Sequence, residues 1–326
     1  MPNSRRPIEN AARTDIPNGL LAGAAILIGD PHDMYAAQTR ASLWREGAIE
    51  IIWRRTCAAV EKALHEGGID IALIDLAMAD GDAAALVRRV RYGEIGQNPF
   101  LPIILTTRNP QGAIIDAALA AGADDVLAKP YTASMVARRI HRLGSGRKPF
   151  IATEDYVGPV RGFTAREGAD QRAFDPPNAL AFLSKGDAEI QSVSPTGFKA
   201  AKDRLTSLRL EIAAKRVAAA ARAALEAGAA QAPIAFRALR DSAQSLTAVA
   251  VALRSAAFKR AVGRLAALAA HGVMAGADAR QVARLVAELA DAVSLAAKLG
   301  QDGNLKLPTD IARRIDARYP DLRAAK

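Results

Sequence analysis

A single cysteine, Cys57, in 326 residues excludes a disulfide framework within the chain and is compatible with a reducing cytoplasm. Only four histidines occur, and no cysteine–histidine cluster has the spacing of metal ligands. Aromatic residues are 5% of the chain, so any core must be built from Ala, Leu, Ile and Val. No run of about 18 uninterrupted apolar residues is present, so no membrane span is expected. Residues 1–18 are polar and carry Arg5, Arg6 and Arg13. The apolar stretch from Leu20 to Ile28 is short and runs into Asp30, where a secretory signal would need a longer apolar region and a small-residue cleavage site. A cytoplasmic protein is therefore expected. After residue 145 there is no nucleophile–base pair, carboxylate dyad or phosphate-binding loop, so an enzymatic output is not expected.

Half of the residues are hydrophobic, and the length suits about two domains. The formal charge of +10 is unevenly placed: residues 1–146 carry 16 basic and 16 acidic side chains, so the whole excess lies in 147–326. A basic second half suits nucleic acid, an acidic protein or a membrane surface as partner.

Residues 24–143 alternate strand and helix patterns. Strands are read at Ala24–Ile28, Ala48–Trp53, Ile69–Asp75, Ile103–Thr107 and Asp125–Ala128. Helices are read at Met34–Glu46, Thr56–Glu66, Asp82–Tyr92, Gly112–Ala121 and about Ala133–Leu143. Gly67-Gly68 and Gly122 end helices, and Asp82 is placed to cap one. Near-continuous apolar strands separated by helices give an α/β fold, a five-stranded doubly wound parallel sheet covered on both faces.

Residues 145–192 lose this periodicity and read as a linker with little structure of its own. From about Ser194 the chain is Ala-rich and helix-periodic. One pattern runs from Phe198 to Ile212, a second from Leu239 to Leu268, a third from Val282 to Leu299 and a shorter one from Pro308. Three or four amphipathic helices in an all-α bundle are expected. The resulting division is a disordered tail at 1–22, an α/β domain at 23–144, a linker at 145–192 and a helical output or interaction domain at 193–326.

Several polar residues fall at the carboxyl ends of the strands, where an open α/β sheet places its chemistry. They are Asp30 after the first strand, Asp75 after the third in Asp-Leu-Ala-Met, Thr107 after the fourth, and Lys129-Pro130 after the fifth. With the Thr107-to-Lys129 interval and the turn Ala121-Gly122-Ala123-Asp124-Asp125, residues 24–144 resemble the receiver domain of bacterial two-component response regulators, which has a flavodoxin-like fold. The resemblance covers the first half of the chain only.

That resemblance implies a phosphoprotein signalling in a phosphorelay. Asp75 would be the phosphoacceptor, attacking the phosphoryl group of a phosphohistidine or small acyl phosphate. Asp30, Asp75 and the backbone carbonyl of Ala77 would hold Mg²⁺, a cation that favours oxygen ligands and neutralises phosphoryl oxygens. Lys129 would pair with one phosphoryl oxygen, aimed by a cis peptide to Pro130. Thr107 would turn to hydrogen-bond another. The implied partners are a sensor histidine kinase or phosphotransfer protein and an output partner of unknown kind, with homodimerisation as one route.

The chain departs from the family pattern in places. Two adjacent acidic residues usually follow the first strand; here they are Asp30-Pro31, and the proline side chain cannot ligate a metal. Using Asp33 instead would need a rearranged loop. Val126 stands where a switching aromatic is often found, and Arg108, after Thr107, stands where a small residue is usual. Pro31 and Arg108 motivate one rival reading, a pseudo-receiver scaffold that takes up no phosphate. The basic helices motivate another, a DNA-binding transcription regulator, although no clear helix-turn-helix is present. The segment Asp155–Arg161 resembles a tail found behind some receivers; from its residues alone it is a Gly-Pro turn with Tyr156 as an anchor. Cys57, Trp44 and Trp53 read as packing residues.

Overall fold

In a computed structural model of the chain, residues 21, 23–162, 173–181, 194–228, 230–250, 253, 255–274, 279–298 and 306–319 are described. The N-terminal tail, parts of the expected linker and Leu299 lie outside them. The chain divides into two compact units, one of residues 1–148 and 176–194, the other of residues 149–175 and 195–326.

The first unit alternates β1 (Ala25–Gly29), α1 (Asp33–Arg45), β2 (Glu50–Arg54), α2 (Cys57–Glu66), β3 (Ile71–Asp75), α3 (Ala83–Arg91), β4 (Ile103–Thr107), α4 (Gly112–Ala120), β5 (Asp125–Ala128) and α5 (Ala133–Ser145). All sheet pairings are parallel, in the order β2-β1-β3-β4-β5. This is the flavodoxin-like doubly wound fold, with its switch point between β1 and β3. Every residue of β1, β3 and β4 is buried, as strands covered on both faces require.

Alternate strand residues feed two cores. Leu27, Ala72, Ile74, Ile103 and Leu105 join Val60, Leu64, Leu86, Val87 and Val90 of α2 and α3. Ile26, Ile28, Ile71, Leu73, Ile104 and Leu127 join Leu43 of α1 and Val136, Ile140 and Leu143 of α5. Helix ends follow the expected chemistry. Asp82 accepts the backbone N–H groups of Ala84 and Ala85, and Thr56 accepts that of Ala59. Gly67 and Gly68 carry the positive φ angles that end α2 (80° and 78°).

Tight contact around the start of the chemistry-bearing loop is shown by Gly29. A Cβ there would lie 2.9 Å from Val60 Cγ2 and 3.2 Å from Ile74 Cγ2. Gly29→Ala is therefore expected to destabilise the unit by about 1–3 kcal/mol through overpacking, measured by denaturant unfolding.

The expected linker differs from its sequence reading. Phe150–Ala152 (β6) and Val157–Pro159 (β7) form an antiparallel hairpin, and Phe150 bridges to Phe174. Tyr156 is buried, and its hydroxyl donates to the Pro159 carbonyl over 2.7 Å, closing the turn. Residues 176–181 return to the first unit. Asn178 Nδ2 donates to the Leu143 carbonyl at 2.7 Å, and Leu180 enters the core shared by α1 and α5. Low periodicity concealed these contacts because each is made by one or two isolated apolar residues.

The second unit continues with α6 (Pro195–Glu226), α7 (Ala232–Ala250), α8 (Ala256–Met274), α9 (Ala279–Lys298) and α10 (Lys306–Arg318). A single core contains Leu210, Leu239, Leu246, Leu265, Val286 and Ile315. Alanines at three- and four-residue steps (Ala214, Ala218, Ala221) present a small-residue face on α6. Arg222 pairs with Asp291, while Lys298 pairs with Glu211 over 3.2 Å, so α6 and α9 run antiparallel. The pattern from Leu239 to Leu268 is two helices, not one. Ser255 starts the second by accepting the Phe258 N–H (3.4 Å), a start signal present in the sequence. Among the described residues no helix is long and apolar enough to cross a membrane.

Candidate functional site

The carboxyl ends of β1 and β3 flank the switch point of the sheet, and each is followed by an aspartate or ends on one. Asp30 and Asp75 are 2% and 1% exposed. Lys129, which follows β5, reaches across to both: its Nζ lies 2.5 Å from Asp30 Oδ2 and 2.5 Å from Asp75 Oδ2. The remaining carboxylate oxygens are used locally. Asp30 Oδ1 accepts the N–H of His32 (2.9 Å) and Asp75 Oδ1 that of Ala77 (2.7 Å), so each aspartate fixes the loop that it begins.

Two buried carboxylates and one ammonium leave one negative charge uncompensated, which is costly in a dry site. Burial alone would lower the Lys129 pKa, but hydrogen bonds to Asp30 and Asp75 and their charges outweigh it and hold the ammonium above its ordinary value. Lys129 thus stays protonated through neutral and mildly alkaline pH.

Of the residues singled out in the sequence, Asp30, Asp75 and Lys129 are brought together. Thr107 is buried at the end of β4, but its hydroxyl accepts the Asn109 N–H (3.0 Å) and donates to the Asn109 carbonyl (3.2 Å). The preceding residue, Thr106, instead donates to Asp75 Oδ2 at 3.2 Å, being its register partner across β3 and β4. Arg108 is exposed. Asp33 is exposed and pairs with Arg55 at 2.6 Å. Among the described residues no cluster of three or more acidic, histidine or cysteine side chains could hold a metal. The acidic side chains that meet there are Asp30 and Asp75, and Mg²⁺ is an ion that keeps several waters and needs only one or two protein carboxylates. The Lys129–Pro130 peptide is cis.

Three contacts around this centre were not singled out in the sequence. The Tyr35 ring lies under Lys129, with Nζ 4.5 Å from the ring centroid. Trp53 Nε1 donates to the Asp30 carbonyl over 3.0 Å, beneath the Arg55 guanidinium. Tyr131 shares a 2.7 Å hydrogen bond with Thr39 of α1, and burial pushes its hydroxyl pKa up. The signal for Tyr35 was its place in the first turns of the helix that begins at the site.

Beside the site, Asp80 accepts the backbone N–H groups of Cys57 (2.6 Å) and Ala58 (3.2 Å) and joins the β3–α3 loop to the start of α2. Burial, with Asp80, Asp82 and Glu61 adding, pushes the Cys57 thiol up to about 11. Thiolate is the reactive form, so alkylation of Cys57 near pH 8 is expected to be about 100-fold slower in the folded protein than in denaturant, followed by mass spectrometry.

Part of the chain is similar to known proteins. Residues 26–141 match the family described as response regulator receiver domain. The swarming motility regulation protein RssB of Serratia marcescens is 34% identical over 90 residues, 28% of this chain and 39% of that protein, so the chain matches about two fifths of its relative's length. A putative response regulator from Chloroflexus aurantiacus is 25% identical, covering 36% of this chain and 95% of that one, with a TM-score of 0.33. The receiver domain of the sensor histidine kinase PA1611 from Pseudomonas aeruginosa, solved with magnesium in its active-site cleft, is also 25% identical, covering 37% and 96%, with a TM-score of 0.33. It is over residues 26–141, within the first unit, that the chain is similar to a response regulator receiver domain.

Proposed function

We propose that this protein takes a phosphoryl group on Asp75 from a sensor histidine kinase or phosphotransfer protein and passes the change to its helical unit. The observation that carries this reading is the buried Asp75 held beside Asp30 by Lys129 at the switch point of the sheet. One Asp75 carboxylate oxygen attacks phosphorus, the bond to the donor nitrogen or oxygen breaks, and the donor leaves with the electron pair. The product is an aspartyl phosphate. Mg²⁺ would be held by Asp30, Asp75 and the Ala77 carbonyl, and when bound it supplies positive charge against the phosphoryl oxygens. Lys129 would move from the carboxylates to a phosphoryl oxygen. Thr107 would release Asn109 and donate its hydroxyl to another, drawing the β4–α4 loop inward.

The added charge would bias the surface formed by β4 and β5 with α5. The division of labour is a receiver at 23–144 and an output region at 193–326, acting by contact with a partner protein or a second copy of the chain. The setting is cytoplasmic, and no separate substrate is turned over.

The test is intact-mass spectrometry of the full chain with acetyl phosphate, with and without Mg²⁺. A Mg²⁺-dependent phosphate adduct mapping to Asp75 is the expected result. Pro31, which removes one customary acidic ligand, favours a second reading, a receiver that signals by binding alone. A folded protein that takes up no phosphate with Mg²⁺ present would establish that reading instead.

A further inference from the structure

Lys129, like Thr107, must occupy two positions in the mechanism above, so what holds it matters. Its Nζ sits over the face of Tyr35, 4.5 Å from the ring centroid, as well as between the two carboxylates. An aromatic face attracts an ammonium through its quadrupole, and the attraction grows where water is excluded; Lys129 is only 6% exposed. The same helix grips the residues that follow. Gln38 Nε2 donates to the Tyr131 carbonyl at 2.9 Å, and the Thr39 hydroxyl bonds the Tyr131 hydroxyl at 2.7 Å while donating to the Tyr35 carbonyl at 2.8 Å. Tyr35, Gln38 and Thr39 therefore bind Lys129 and Tyr131 from successive positions of one helix face.

We infer that Tyr35 is a positioning residue that holds the Lys129 ammonium over Asp30 and Asp75, with Gln38 and Thr39 fixing the Lys-Pro-Tyr segment to α1. The carboxylates alone define two directions for the ammonium; the ring supplies the third and keeps the side chain from swinging outward toward α1. Because a cation over a ring face needs no fixed donor angle, Nζ can shift toward an incoming phosphoryl oxygen without losing the contact. The consequence for rate rests on the function proposed above, whereas the positioning itself does not.

The experiment is carried out on the full chain with ¹³C-labelled lysine. Protons on the Lys129 ε-carbon, near the ring face, are expected to resonate upfield of the other lysines. That displacement should persist in Tyr35→Phe and vanish in Tyr35→Leu. Acetyl phosphate uptake at saturating donor should fall about tenfold in Tyr35→Leu and stay within about twofold in Tyr35→Phe. No upfield displacement in the wild type, or one unchanged in Tyr35→Leu, would overturn the assignment. So would Tyr35→Leu taking up phosphate as fast as the wild type. If the wild type takes up none, the proposed function fails, and the lysine resonances alone decide Tyr35.

Discussion

Asp75→Asn is expected to reduce phosphate uptake from acetyl phosphate by at least about 10³-fold, the scale on which a missing nucleophile is felt. Asparagine is the informative replacement because it removes the charge and the nucleophile at nearly constant size, exchanging only the Oδ2 acceptor for an NH₂ group. Its carbonyl oxygen can still accept the Ala77 N–H that Asp75 Oδ1 accepts at 2.7 Å. Its volume also fills the same buried space between β1 and β4. Lys129 keeps Asp30 as a partner at 2.5 Å, so the buried ammonium is not stranded. Unfolding by denaturant should therefore move little while uptake collapses. Uptake close to wild-type in this variant would place the acceptor elsewhere. Asp75→Ala is a poorer probe, since it leaves the Ala77 N–H, the Thr106 hydroxyl and half of the Lys129 contacts without partners.

Arg91→Leu should be the most destabilising single change in the first unit, costing about 3–5 kcal/mol. Arg91 is 0% exposed. Its guanidinium donates to the carbonyls of Gly122 (2.8 Å), Pro99 (2.9 Å) and Leu101 (2.7 Å) and to Asp124 Oδ2 at 2.8 Å. These acceptors come from the turn before β5 and the loop before β4, which one planar fork holds together. Leucine would take this donor from the buried Gly122 and Pro99 carbonyls, while Asp124 Oδ2 would keep the Ile103 N–H and the Leu101 carbonyl would keep Arg147. Arg147 would keep a hold on Asp124 through Nε at 2.7 Å, which limits the loss. For a unit of this size each kcal/mol lowers the melting temperature by about 2–4 °C, so a drop on the order of 10 °C is expected by calorimetry. Arg89, two residues away, is the control. It pairs with Glu61 at the surface, and Arg89→Leu should cost no more than about 1 kcal/mol.

That contrast shows what a sequence discloses. The five strands, their order along the chain and the helix between each pair were legible because burial on both faces forces continuous apolar runs. Asp30, Asp75 and Lys129 were legible because strand ends are marked where an apolar run stops on a charged residue. Arg91 was not, since Arg88-Arg89-Val90-Arg91 reads as a solvated face. Only its place four residues after Val87 and one after Val90 puts it on the core side of α3. Thr106 and Thr107 were separable by strand register alone, because one hydroxyl points to Asp75 and the next to its own loop. Tyr35 needed the fold, for its partner is 94 positions away. The hairpin at 150–159 was missed because three-residue strands show no periodicity. The long helical pattern after Leu239 hid a break because neither Gly nor Pro marks it.

The return of residues 176–181 to the first unit has a consequence for how this chain can be cut and inherited. Each unit is made of two separated stretches of sequence, so neither corresponds to one uninterrupted piece of gene. A fragment ending at residue 148 carries the whole sheet and its five helices, yet lacks the Asn178 donor for Leu143 and the Leu180 side chain in the α1–α5 core. During synthesis Leu180 can join that core only after the hairpin residues have been made. A recombination event that moved the receiver to another protein would have to bring the hairpin sequence along or lose this closure.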